Sequence, residues 1–178
     1  MSGGIRRARA SAALGRREDR SQDVILNRQR GVRIPKRQLE DFVGRARQEL
    51  RLSAGSVTVA LVTNAEIAKW NRAYRHKDGP TDVLSFPSEE TEEPRRASAR
   101  GSTRRGPAES AASTYLGDIA IAPAVARRNA RRFGRTFSQE MRILILHGML
   151  HLMGYDHESD TGQMERRESR LRRALGIA

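Results

Sequence analysis

Ser56-Val57-Thr58-Val59-Ala60-Leu61-Val62-Thr63-Asn64-Ala65-Glu66-Ile67-Ala68-Lys69-Trp70 reads as a strand running directly into a capped helix. Val57, Val59 and Leu61 alternate with the period of a half-buried strand. Thr63, with Glu66 three residues on, is a capping-box signature in which each side chain satisfies the other's backbone N–H. The helix it opens runs through Trp70 to about Tyr74, and Trp70, placed with Ile67, belongs to the core. On the N-terminal side, Val24–Asn27 is a short β-type run. Pro35 then opens a helix whose apolar positions Leu39, Phe42, Val43, Ala46 and Leu50 recur at helical spacing. On the C-terminal side, Asp82–Phe86 is a strand stopped by Pro87, and Tyr115–Ala122 is another. Three helices follow: one begun by Pro123 and ended by Gly134, one capped by Ser138 and running to Met153, and one capped near Asp160 and running to Leu175. The order βαβαβ, insertion, βααα predicts an α+β single domain with a small mixed β-sheet covered by helices.

A length of 178 residues suits one domain, here 21–178, behind a basic arm over 1–20. The arm mixes Arg, Ala, Gly and Ser without periodicity and is expected to be disordered. Residues 88–113 form an irregular insertion, and roughly 26 structureless residues inside a compact domain are expected to loop out of it. The absence of cysteine excludes disulfide scaffolds, thiolate zinc sites and thiol catalysis. Apolar runs such as Ile143–Leu146 are far too short to span a membrane. Arginines without an apolar stretch at the N-terminus do not make a secretory signal, so a cytoplasmic location is expected. The net charge of +13 suits polyanionic partners. Arg127, Arg128, Arg131, Arg132 and Arg135 follow one another at helical spacing with no acid between them, as either a phosphate-facing stripe or a solvated face.

Three of the four histidines fall in His147-Gly148-Met149-Leu150-His151-Leu152-Met153-Gly154-Tyr155-Asp156-His157. Residues i and i+4 project from one helix face, so His147 and His151 can share an ion. Gly154 can adopt positive φ and end the helix, and the returning chain then delivers His157 to the same point. Three imidazoles with one open position form the layout of a catalytic zinc site, so one zinc per chain is expected. Spacing alone leaves nickel, copper or iron open. Asp156 either orients a ligand imidazole or fixes the turn. Metzincin proteases share the histidine spacing but place a Glu immediately after the first His as general base. Here that position is Gly148, and a metallopeptidase would need its base from elsewhere.

The segment matches the signature H-G-x-L-H-L-x-G-Y-D-H without a mismatch, and in this it resembles the YbeY endoribonucleases. A second block, Asn71-Arg72-Ala73-Tyr74-Arg75-His76-Lys77-Asp78-Gly79-Pro80-Thr81-Asp82-Val83-Leu84-Ser85-Phe86-Pro87, is similar to that family's N-x-x-Y/F-R-x-K-D-x-x-T-D/N-V-L-S-F-P pattern. Leu116-Gly117-Asp118-Ile119 matches its L-G-D-I/V strand. The resemblance implies a zinc-dependent, single-strand-specific endoribonuclease of ribosomal RNA maturation, including processing of the 16S 3′ end, and of ribosome quality control. Its partners would be single-stranded RNA, ribosomal RNA, the ribosomal small subunit and ribosome-associated proteins. It further implies His147, His151 and His157 as metal ligands and Arg75 as the catalytic arginine, with Lys77 and Ser85 as substrate contacts. The arm and the insertion have no counterpart in the pattern. The alternative from another class is a ribosome-associated RNA-binding factor whose zinc is structural.

Overall fold

The computed structural model describes residues 24–53, 56–88, 115–155 and 161–177. The arm at 1–20 and the insertion beyond Ser88 lie outside the described residues, as do Asp156, His157 and Asp160.

The elements follow the expected order: β1 (Val24–Asn27), α1 (Lys36–Glu49), β2 (Val57–Leu61), α2 (Asn64–Trp70), β3 (Val83–Pro87), β4 (Gly117–Ile121), α3 (Pro123–Arg132), α4 (Phe137–Leu152) and α5 (Gln163–Ala174). The four strands form one sheet in the order β1-β2-β4-β3. β1, β2 and β4 run parallel, and β3 joins antiparallel to β4 with Ser85 opposite Ile119 and Val83 opposite Ile121. The chain is thus an α+β domain, a four-stranded mixed sheet with five helices.

The alternation of side chains across the sheet divides the core in two. Val57, Val59, Leu61, Ile119 and Ile121 pack with Leu39 and Phe42 of α1, with α4, and with Met164 and Leu171 of α5. Ala60, Leu84, Phe86 and Ala120 pack on the other face with Ile67, Trp70 and Val125. The ring of Trp70 meets Phe86 edge-on at 5.9 Å, which makes it the core residue the sequence suggests. Gly117, of the Leu116-Gly117-Asp118-Ile119 segment, allows the β3–β4 contact. A Cβ built there would lie 2.1 Å from the Phe86 carbonyl oxygen.

Helix ends explain most of the boundaries. The Thr63–Glu66 box is formed, with the Glu66 N–H donating to Thr63 Oγ1 at 3.2 Å and the Thr63 N–H donating to Glu66 Oε2 at 3.1 Å. α2 ends at Trp70, and the chain then widens into a π-helical turn over Asn71–Arg75. The cap of α4 is Thr136, not Ser138. Thr136 Oγ1 accepts from the Gln139 N–H at 3.1 Å and Gln139 Oε1 accepts from the Thr136 N–H at 2.9 Å, a second capping box that starts the helix at Phe137. α5 begins after Gly162. No helix among the described residues is long and apolar enough to cross a membrane.

Candidate metal centre

α4 lies at the centre of the molecule, against β3, β4, α1, α3 and α5. A helix enclosed in this way is apolar all round. Between Ile143 and Leu152 every residue is buried except His147 and His151. The two histidines are therefore the accessible positions of this stretch of the helix. The helix ends where the sequence suggests. Gly154 has φ of 95°, its N–H donates to the His151 carbonyl at 2.9 Å, and the Tyr155 N–H donates to the Leu150 carbonyl at 3.1 Å. This paired pattern requires a left-handed residue that only glycine adopts cheaply.

The Nε2 atoms of His147 and His151 lie 3.1 Å apart. Two ligands on one tetrahedral zinc, at bond lengths of about 2.0–2.1 Å, stand about 3.3 Å apart. On the far side of the His147 ring, Nδ1 is 2.9 Å from Glu168 Oε2. Glu168, only 8% exposed, also accepts from Arg172. Burial pushes the Glu168 carboxyl up, but the His147 hydrogen bond and the Arg172 charge outweigh it and hold the carboxyl below its ordinary value. An ionised carboxylate only accepts, so the His147 ring proton sits on Nδ1 and the Nε2 lone pair points at His151. That tautomer suits a metal ligand braced by a carboxylate. The residues present thus fit a bound zinc, with His147 and His151 as the described donors. Among the described residues no three His, Cys, Asp or Glu side chains converge, and His157 lies outside them.

Of the other sequence-predicted residues, Ser85 lies in β3, whereas Arg75 and Lys77 lie at and just beyond the end of the turn that precedes it. Ser85 Oγ donates to the Gly148 carbonyl at 3.3 Å, which ties β3 to α4 beside His147. Arg75 closes the π-helical turn and is exposed, as are His76 and Lys77. His76 is a non-glycine residue in the left-handed region, φ 56°. Asn71 fixes this turn: its carbonyl accepts from the His76 N–H and its Nδ2 donates to the Gly79 carbonyl at 3.0 Å. Tyr74 anchors it by packing edge-on against Phe86 at 5.5 Å. Such turns and outliers are frequent at functional sites. Asp82 binds Asn129 of α3 at 2.9 Å. Asp118 is buried and accepts from the Tyr115 hydroxyl at 2.6 Å, a partner the sequence did not reveal.

The family model described as Endoribonuclease YbeY matches residues 24–176. The chain belongs to the YbeY endoribonuclease family. It is 41% identical over 140 residues to an endoribonuclease YbeY of Solibacter usitatus, covering 78% of each chain. It is 36% identical over 154 residues to one of Koribacter versatilis, covering 86% of each. A solution structure of a Thermotoga maritima protein matches with a TM-score of 0.52 and 27% identity, over 85% of this chain and 89% of that one. Membership makes the chain an endoribonuclease, a hydrolase of phosphodiester bonds. The YbeY family is metal-dependent.

Two positions of this YbeY chain change meaning in the fold. Gly148, where a metzincin carries its base, faces the sheet. A Cβ built there would lie 2.7 Å from Ile119 Cγ2 and 3.0 Å from Ile119 Cδ1. A glutamate at this position would enter the core, so the glycine serves helix–sheet packing. Gly148→Ala is expected to destabilise the protein by about 1–3 kcal/mol through overpacking, and denaturant melts will read the loss. An unchanged midpoint would mean that Ile119 yields freely.

Glu168 is the site residue that sequence reasoning missed. Its signal was an acid in line with Met164 (i−4) and Leu171 (i+3), on the buried stripe of α5. Glu168→Ala is expected to weaken zinc binding about 10–100-fold, the usual cost of losing a bracing partner. Glu168→Gln keeps an acceptor for the Nδ1 proton and should retain most of the affinity. Competition with a chelating dye measures both, and wild-type affinity in the alanine variant would remove the bracing role.

Proposed function

We propose that this YbeY endoribonuclease is zinc-dependent and single-strand-specific, and that it acts in the cytoplasm on ribosomal RNA at the small subunit, including the 16S 3′ end. The observation that carries the metal assignment is the 3.1 Å approach of two imidazole nitrogens, the accessible side chains of α4 between Ile143 and Leu152, with Glu168 fixing the tautomer. His147, His151 and His157 would hold the ion. A zinc ion there supplies a lowered water pKa and positive charge for a phosphate in transit. Glu168 keeps the His147 proton on Nδ1, so that Nε2 stays a donor to metal. Arg75 presents a planar fork that grips two phosphate oxygens and opposes charge as it builds. Lys77, two residues on, adds a point charge for a neighbouring phosphate. Ser85 spends its proton on the Gly148 carbonyl and keeps acceptor lone pairs for a ribose hydroxyl. Attack by water and attack by the RNA 2′-OH make the same demands on these residues.

The charge of the chain supports an RNA substrate, since counterion release favours any polyanion. The expected result is that single-stranded RNA is cut, that a duplex of the same sequence is spared, and that a chelator stops the reaction until zinc is restored. Equal cleavage of the duplex would contradict the single-strand preference. Cleavage that survives exhaustive chelation would contradict the metal assignment.

A further inference from the structure

The geometry points to a second contact for the RNA strand, at the turn between α3 and α4, where exposed Phe133 lies beside Arg132 and Arg135. We infer that Phe133 stacks on an unpaired base while Arg128, Arg131 and Arg132 take the adjoining phosphates. This inference rests on the endoribonuclease reading and adds a binding surface to it.

Phe133 is 53% exposed, the one large apolar side chain so exposed among the described residues. Its backbone is fixed. The Gly134 N–H donates to the Arg131 carbonyl at 3.4 Å and the Arg135 N–H to the Ala130 carbonyl at 2.8 Å, with Gly134 at φ 65°. These are the two closing bonds of a Schellman turn, so the ring is presented by an ordered helix end. The guanidinium carbons of Arg132 and Arg135 stand 5.6 and 5.2 Å from the ring centroid. Arg135 is neutralised by buried Glu140 at 3.0 Å, and Arg127 lies over Phe137. Arg128, Arg131 and Arg132 remain exposed at i, i+3 and i+4, with no acid anywhere from Ile121 to Ser138. Their mutual repulsion disfavours the free helix. The helix dipole accounts for cations in the last turn, but not for Arg128 or for an exposed aromatic ring beside Arg132 and Arg135. An aromatic face with a cationic track beside it is how single-stranded nucleic acid is held. A duplex hides its base faces and would gain only the phosphate part. The turn precedes Phe137, and His147 is ten residues further along α4, about 15 Å at the helical rise. The contact would thus bind the strand away from the cut.

The test uses the full-length, zinc-loaded protein, with cleavage kinetics on single-stranded RNA and fluorescence anisotropy on a labelled abasic strand of the same length. Phe133→Ala should raise KM about ten-fold, the scale of one lost base–aromatic stack, and leave abasic-strand affinity within about two-fold. Phe133→Tyr should restore KM. The triple variant R128A/R131A/R132A should weaken both ligands and lower the salt slope by up to about 2, since each phosphate contact contributes about 0.7. Wild-type KM in Phe133→Ala overturns the stacking contact and leaves the endoribonuclease reading standing. Equal losses on RNA and on the abasic strand do the same. Wild-type protein that cuts no single-stranded RNA defeats that reading, and the contact with it.

Discussion

His151→Ala is expected to abolish stoichiometric zinc binding and to reduce RNA cleavage to background. His147→Ala should behave in the same way, because the two Nε2 atoms face one point across 3.1 Å and losing either leaves the proposed site one ligand short. Metal binding is coupled to folding, so each variant should also melt at a lower temperature than the zinc-loaded parent. His151→Ala should melt close to the metal-free parent, whereas His147→Ala should melt below it, because it also leaves the buried Glu168 carboxylate without its imidazole partner. Elemental analysis and thermal melts on matched preparations provide the check. One equivalent of zinc retained after both replacements would show that the ion sits elsewhere.

The phosphate-gripping role proposed for Arg75 is separable from structure. It ends a π-helical turn whose shape is set by other residues: Asn71 bonds to the Gly79 carbonyl, and Tyr74 packs on Phe86. Arg75→Lys keeps the charge but loses the planar fork that matches a phosphate. Zinc content and melting temperature should hardly move. Cleavage of single-stranded RNA should fall ten-fold or more, the scale of one lost charge-stabilising contact. Undiminished cleavage in the lysine variant would leave the metal centre as the only catalytic element. An arginine that merely answers the helix dipole predicts little change for lysine and a small loss of stability for alanine.

The succession of strands and helices was legible because local signals mark it: alternating valines in β2, the Thr63–Glu66 box, Pro35 and Pro123 at helix starts, and Gly154 at a helix end. The sheet order was not. Nothing local tells β3 to turn antiparallel and take the edge beside β4, because that pairing depends on distant residues. Ser138 drew the cap assignment because it stands near the apolar run, whereas the reciprocal pair Thr136 and Gln139 lies two residues earlier.

The candidate site divides in the same way. The i, i+4 spacing gave the His147–His151 pair directly, since helix geometry alone brings those rings together. Glu168 was hidden because it also makes an ordinary i, i+4 pair with Arg172. Only the packing of α5 on α4 shows that its other oxygen reaches His147. Gly148 looked like a lost general base. Its direction into Ile119, which no spacing rule reveals, makes it a packing glycine.

The histidine centre on α4 is proposed to carry the cleavage, and titrating zinc into metal-free protein while measuring initial rates on single-stranded RNA is the decisive experiment. The rate should rise linearly and break at one equivalent per chain, and His151→Ala protein should stay flat throughout. Full activity before any zinc is added, or a His151→Ala curve that follows the wild type, would contradict it.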